Sequence, residues 1–307
     1  MSLKNGRSLQ IAGLLTITLG LMLSACSGVT PADSGGKLRV LATNSIVGDI
    51  VHQVGGDTIL LTILMPVGTD PHDFQPRPQD ATALTNAQVI FSNGAGLETF
   101  LPPLLDSTQA TGRLIQVSAG IPLLPLPGSN LSTGDPHTWM DPNNVILWTK
   151  NIAAALSIAD PAHAENHQAN AEGYAASLRD LDAWIRSEVA FIPMKNRLLI
   201  ADHAVLGYFA TEYGFIQEAT ITSSFSSEAA PSAKELAALE DKIRQAGVKA
   251  IFVSEAVNQT LADQVAADTG IKAVWIYHAT LTAANGPAAS YLEFMRYNVK
   301  AIVEALK

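Results

Sequence analysis

The chain has 307 residues, of which 48% are hydrophobic and 15% charged; that excludes a disordered polymer and leaves room for two cores at about 100–200 residues each. Against 28 Asp plus Glu stand 19 Lys plus Arg, a formal net charge of −9, without the basic field that steers proteins onto phosphate backbones, so no nucleic-acid partner is expected. A single cysteine excludes an intrachain disulfide, a Cys-rich zinc ribbon and a four-thiolate iron–sulfur cluster, so any metal must be held by His, Asp or Glu.

Lys4 and Arg7 precede an uncharged, mostly apolar stretch from Ser8 to Ala25, the basic and apolar regions of a secretory signal. The run is also long enough to span a bilayer; what ends it decides. Small residues in Leu23-Ser24-Ala25-Cys26 meet the only cysteine, followed by the polar stretch Ser27 to Gly36, and this resembles the lipobox of bacterial lipoproteins. The resemblance implies a signal peptide over 1–25, cleavage before Cys26, lipid on Cys26, a tether over 26–36 and a body anchored to the bacterial membrane on its extracytoplasmic side. Cleavage would remove two cations and no acid, making the body more acidic.

From Lys37 onward short β-type runs alternate with helical patterns. Leu38 to Ala42 reads as a strand, Ile46 to Val54 as a helix and Ile59 to Leu64 as a strand; further β-type runs are Val89 to Phe91, Leu114 to Val117, Leu198 to Ala201, Ala250 to Val253 and Ala273 to Ile276. Each is short, branched or aromatic, and bounded by turn residues or a helix. Strands alternating with helices imply βαβ units, hence an α/β fold with parallel sheets flanked by helices.

The rhythm breaks between Asp141 and Pro193, where the chain reads as helix with one interruption at Asp160-Pro161; Asp160 is placed to cap a new helix that begins with proline. From there to about Ala190, Leu178, Leu181, Trp184, Ile185 and Val189 recur at three- and four-residue spacing, which predicts a helix of about 30 residues, about 45 Å long. We read it as a backbone helix, 159–193, joining an N-terminal lobe, 37–158, to a C-terminal lobe, 194–307.

Seven histidines sort by position. His52 reads as a surface residue of the first helix, and His163 and His167, at i and i+4 in polar turns of the long helix, read as a solvated face. His72 lies in the loop after Ile59 to Leu64, His203 follows Leu198 to Ala201, and His278 follows Ala273 to Tyr277. In open α/β sheets ligands bind beyond the carboxyl ends of strands. The tripeptide Asp-Pro-His occurs twice, at 70–72 and 135–137. Proline fixes its own φ and holds the preceding residue extended, and a carboxylate nearby can orient a ligating histidine by accepting its second N–H. Stiff loops presenting imidazole suit a metal ion.

The stretch Met65 to Pro76, the segment Asp135 to Asn143, His203 with Gly207-Tyr208-Phe209-Ala210 and Tyr213-Gly214, Pro231 to Leu236, and Gly286-Pro287-Ala288 with Met295-Arg296-Tyr297-Asn298 together resemble the zinc- and manganese-binding solute receptors of metal ABC importers, the cluster A-I family. The likeness runs through nearly the whole chain after the tether, in the same order. It implies two α/β lobes on a long helix, with one divalent metal in the cleft between them, delivered as cargo to an ABC permease by a monomeric receptor. His72, His137 and His203 would be the metal ligands. Receptors for manganese often carry Glu at the third position and receptors for zinc carry His, so His203 points to Zn2+, with Mn2+ the second choice; imidazole likewise suits zinc. The family commonly supplies an Asp at the position of Ala279. With no carboxylate there, the fourth position falls to water, to His278 or to Glu255, and adjacent residues of an extended segment face opposite ways, which counts against His278. The loop Ile121 to Gly134 lacks the His- and Asp-rich insertion that many zinc receptors carry. Because ligating imidazoles must be neutral, affinity is expected to fall below about pH 6.5.

Three histidines around zinc with an open position also describe a catalytic centre, so an extracellular metallohydrolase is the rival reading. The sequence holds no His-Glu-x-x-His, no Gly-x-Ser-x-Gly and no Walker loop, and no enzyme is expected. An adhesin built on the same body is a third reading, since adhesion depends on surface patches that a sequence does not display.

Overall fold

The structure, a computed structural model, describes residues 36–110, 113–125, 134–221, 231–254 and 259–307. The expected signal peptide, most of the expected tether with Cys26, and Glu255 lie outside the described residues. Among the described residues no helix is long and apolar enough to cross a membrane.

Residues 37–307 fold around two parallel four-stranded sheets. In the first, β1 (Leu38–Ala42), β2 (Ile59–Ile63), β3 (Val89–Ser92) and β4 (Leu114–Gln116) run in the order β2-β1-β3-β4. The second repeats that order as β6-β5-β7-β8, from β5 (Leu198–Ala201), β6 (Ile216–Thr220), β7 (Ala250–Val253) and β8 (Lys272–Trp275). In each the chain leaves the first strand for one neighbour and returns on its other side, so the carboxyl ends of β1 and β5 are switch points, where an open α/β sheet leaves a crevice. β3 and β7 are buried at every residue, which is why they read as unbroken apolar runs rather than alternating ones. β6 has no such signature. It is an edge strand of sequence Ile-Gln-Glu-Ala-Thr, paired among the described residues only with β5, and nothing in its pattern predicts a strand.

Helix α1 (Ser45–Gly55) starts where Asn44 accepts the backbone N–H of Val47, and it buries Ile46, Val47, Ile50, Val51 and Val54 between the first sheet and the long helix. α2 (Pro78–Asn86) and α3 (Leu101–Thr108) cover the other face of that sheet around Leu84, Leu101 and Leu105. α4 (Pro142–Ala159) and α5 (Ala164–Val189) are the two helices expected between Asp141 and Pro193, with a 3-10 turn at Pro161–His163 between them. Asp160 does not cap that turn; its carboxylate instead accepts Nδ1–H of His163 at 2.7 Å. At 26 residues α5 is about 39 Å long. Its buried residues Ala171, Tyr174, Ala175, Leu178, Leu181, Ile185 and Val189 share one stripe.

That stripe belongs to a single apolar core running from Val40 and Phe91 of the first sheet, through Leu178 and Leu181, to Leu199 and Phe252 of the second. α6 (Gly207–Tyr213), α7 (Ala233–Ala246) and α8 (Gln259–Thr269) complete the second half. The last helix, α9 (Tyr291–Leu306), is a second tie between the lobes. It begins with a Ser290/Glu293 capping box, packs on α5, and donates the backbone N–H of Tyr291 to Asp49 of α1 at 2.9 Å.

Candidate metal centre

His72 and His137 are presented by the same local device. In each Asp-Pro-His the aspartate carboxylate accepts the backbone N–H of the histidine two residues on, Asp70 to His72 at 2.8 Å and Asp135 to His137 at 2.9 Å. Such a turn needs a short side chain with an acceptor oxygen, and the intervening proline stiffens it. Asp135 does more: the same Oδ1 accepts Nδ1–H of His137 at 2.7 Å. Room for that carboxylate comes from Gly207, where a Cβ would stand 2.7 Å from Asp135 Oδ2.

His203 follows the carboxyl end of β5 and is oriented by its neighbour in sequence. Asp202 Oδ1 accepts both the backbone N–H and Nδ1–H of His203, at 2.8 and 3.1 Å. Asp202 was not among the residues singled out from the sequence. An acid directly before a strand-end histidine was the available signal, and it is weak without the fold.

The three rings converge. Nε2 of His137 lies 3.1 Å from Nε2 of His72 and 3.3 Å from Nε2 of His203. His137 and His203 are 1% and 2% exposed, and His72 is half-buried. With Nδ1–H of His137 and His203 given to carboxylates, both present bare Nε2 lone pairs to each other. Two such lone pairs at that separation repel unless a cation lies between them, and tetrahedral ligands at a metal–nitrogen distance of about 2.0–2.1 Å stand about 3.3 Å apart. Burial, reinforced by the charge His137 would carry, pulls His72 down to about 3, and burial holds His137 well below its ordinary value. Both rings are therefore neutral and competent to ligate at pH values where a solvated imidazole would be protonated. Burial also raises Asp135, to about 7.

His278 is 2% exposed and close to the cluster, its ring 4.7 Å from that of His203 in an edge-on arrangement. Its Nε2 is engaged with Asp202 Oδ2 at 2.8 Å. Burial alone would lower His278 and raise Asp202, but Asp202 outweighs that penalty for His278, and His278 together with His203 outweighs it for Asp202, so His278 is shifted up and Asp202 well down. Ala279 offers no carboxylate. With Gly68, Thr69, Asp70, Ser254 and His278 it lines a cavity of about 30 Å³, enough for one or two waters.

The other histidines stand apart. His52 and His163 are exposed, as expected. His167 corrects the expectation of a solvated pair: it is fully buried, because the start of α5 packs on the turn at Gly56–Thr58. Thr58 gives its hydroxyl hydrogen to the carbonyl of Gly55 at 2.7 Å, so His167 Nε2 must be the donor in its 2.9 Å bond to that oxygen. Nδ1 of His167 is buried with no partner among the described residues. None of these three rings belongs to the cluster.

Hydrogen bonds close the cleft around the cluster. The indole N–H of Trp139 donates to the carbonyl of His278 at 2.8 Å, Ser45 Oγ meets Thr280 Oγ1 at 3.0 Å and accepts the N–H of Leu281 at 2.9 Å, and the hydroxyl of Tyr208 donates to the carbonyl of Asp135 at 2.8 Å.

Comparison with known proteins shows the family. Residues 40–305 match the family model described as ZnuA, zinc-uptake complex component A, periplasmic. The manganese ABC transporter substrate-binding lipoprotein PsaA of Streptococcus mitis is 32% identical over 301 residues, 95% of this chain and 97% of that protein. The iron ABC transporter substrate-binding lipoprotein MtsA of Streptococcus pyogenes is 31% identical, over 95% and 98%. Among solved structures, the Cd-bound periplasmic metal binding protein of Candidatus Liberibacter asiaticus superposes with a TM-score of 0.79 at 27% identity, covering 88% of this chain and all of that one. These relatives are binding components of transporters rather than enzymes, and neither the hydrolase nor the adhesin reading gains support from them. The chain belongs to the ZnuA family of metal ABC transporter substrate-binding proteins.

Proposed function

We propose that this protein is an extracytoplasmic receptor that captures one divalent metal ion, zinc in preference to manganese, and delivers it to an ABC permease. His72, His137 and His203 bind the ion through Nε2, and water completes the coordination. The observation that carries this reading is the convergence of three imidazole nitrogens, two of them set by carboxylates to face inward as acceptors. Protein ligands that are all imidazole nitrogen favour zinc over manganese, which prefers oxygen; relatives named for manganese and for iron share the fold, so the protein ligands and not the family support the choice. The lobes take the boundaries 37–158 and 194–307 with the helix 159–193 between them, and the receptor acts as a monomer held to the membrane by lipid on Cys26.

The test is metal content and competitive zinc affinity of the 27–307 body purified without chelator, beside the His72→Ala, His137→Ala, His203→Ala triple variant. One zinc per chain, absent from the variant, is the expected result. Equal loading of the two proteins would sink the reading, and manganese held more tightly than zinc would overturn the choice of metal.

A further inference from the structure

Beyond the three-histidine cluster a chain of buried polar contacts continues into the C-terminal lobe, and ligation alone does not require it. Asp202 is 1% exposed. Its Oδ1 holds His203 by backbone and ring, while its Oδ2 accepts the backbone N–H and the hydroxyl of Ser254 at 3.2 and 2.8 Å and faces Nε2 of His278 at 2.8 Å. His278 is fixed in turn from the opposite lobe by Trp139, whose ring stands 5.3 Å edge-on to His137. A carboxylate removed from water is costly unless its lone pairs are filled and a cation stands near; among the described residues five donors converge on this one. The turn after β5 would need only the first of them.

Resting on the reading of His203 as a ligand, we propose that Asp202, clamped by Ser254 and His278, is the positioning residue that stands in for the carboxylate missing at Ala279. It fixes His203 with its hydrogen on Nδ1, aims Nε2 at the ion, and delivers negative charge through the imidazole instead of by direct contact. A carboxylate behind a ligating histidine raises the basicity of that ring while leaving the protein ligands all nitrogen. His278 is then the partner of Asp202 and not a fourth ligand, since its Nε2 is spent on Oδ2.

The experiment compares zinc affinity by chelator competition, and the number of imidazoles around bound zinc by X-ray absorption, in the 27–307 body and its Asp202→Asn, His278→Gln and His203→Ala variants. Asp202→Asn should weaken zinc about 10–100-fold, the usual cost of losing such a partner, with three imidazoles around the bound ion in the wild type and an unchanged circular dichroism spectrum. His278→Gln, whose amide still donates to Oδ2, should keep three imidazoles. Should Asp202→Asn fail to fold, Ser254→Ala removes one bond to Oδ2 and carries the same test. Zinc affinity within twofold of wild type in Asp202→Asn, or in Ser254→Ala where that variant replaces it, would overturn the proposal. Loss of an imidazole in His278→Gln would overturn it too. If His203→Ala also binds normally, the ligand assignment itself fails, whereas a damaged His203→Ala beside an unaffected Asp202→Asn fails only the positioning role.

Discussion

The two sides of the histidine cluster are built by different means. On the N-terminal side, His72 and His137 each sit in an Asp-Pro-His turn whose hydrogen bonds close within two residues. On the C-terminal side, His203 is held by an aspartate that depends on Ser254, 52 residues away, and on His278, 76 residues away. One side is organised by local chemistry and the other by the packing of distant segments. Local turns survive the loss of tertiary contacts, so the N-terminal pair should be the more robust half of the site.

The largest effect that would break this comparison is removal of the central ring. His137 lies between the other two, and His137→Ala should weaken zinc by at least about 1,000-fold, about 4 kcal/mol; half-buried His72 should cost less when replaced by alanine. Chelator competition measures both, and the reverse order would mean that the half-buried ring anchors the ion.

Next in size is pH. Three solvated imidazoles of pKa about 6.5 would lose on the order of 10⁴-fold in zinc affinity between pH 7 and pH 5. With His72 pulled down to about 3 and His137 held well below its ordinary value, those rings have little proton to release, and the loss should stay below about 100-fold. A titration showing the larger drop would mean that the rings are solvated before metal arrives. The fall expected from unperturbed histidines should thus be displaced to lower pH by burial.

Smaller effects sharpen the contrast between site and scaffold. Gly207→Ala should push Asp135 off His137 and weaken zinc about tenfold while leaving the fold intact; a normal affinity would show that the turn holds His137 without its ring bond. Trp139→Phe removes one hydrogen bond across the cleft and should cost about 1 kcal/mol, about fivefold in affinity. His163→Ala should change nothing. His167 gives a stability signature instead. Burial lowers it, so below about pH 6.5 the unfolded chain takes up a proton that the native ring refuses, and stability falls with pH. His167→Gln should therefore lose less stability than wild type between pH 7 and pH 5.5 in urea titrations, with zinc affinity unaltered.

Much of this was legible in one sequence because the signals were local. Apolar strands, the stripe on α5 and the repeated Asp-Pro-His announce themselves within a few residues, and the three histidines that the structure gathers are those the sequence singled out. What escaped it depends on neighbours far along the chain. β6 is polar and becomes a strand only because β5 offers it an edge. His167 looks like a surface residue on its own helix and is buried because another turn lies on it. Asp202 is one acid among 28 Asp plus Glu until Ser254 and His278 arrive beside it.

The sequence by itself determined the α/β class, the long helix, the type of metal-binding chemistry and the stiff turns that carry His72 and His137, since residue spacing and turn propensity act over a few bonds. Tertiary structure alone decided that the three Nε2 atoms meet within hydrogen-bonding distance of His137, that burial keeps the rings of His72 and His137 neutral, and that a carboxylate stands behind His203 where Ala279 offers none. Those properties arise from desolvation and from contacts between segments tens of residues apart, and they exist only once both sheets share one core.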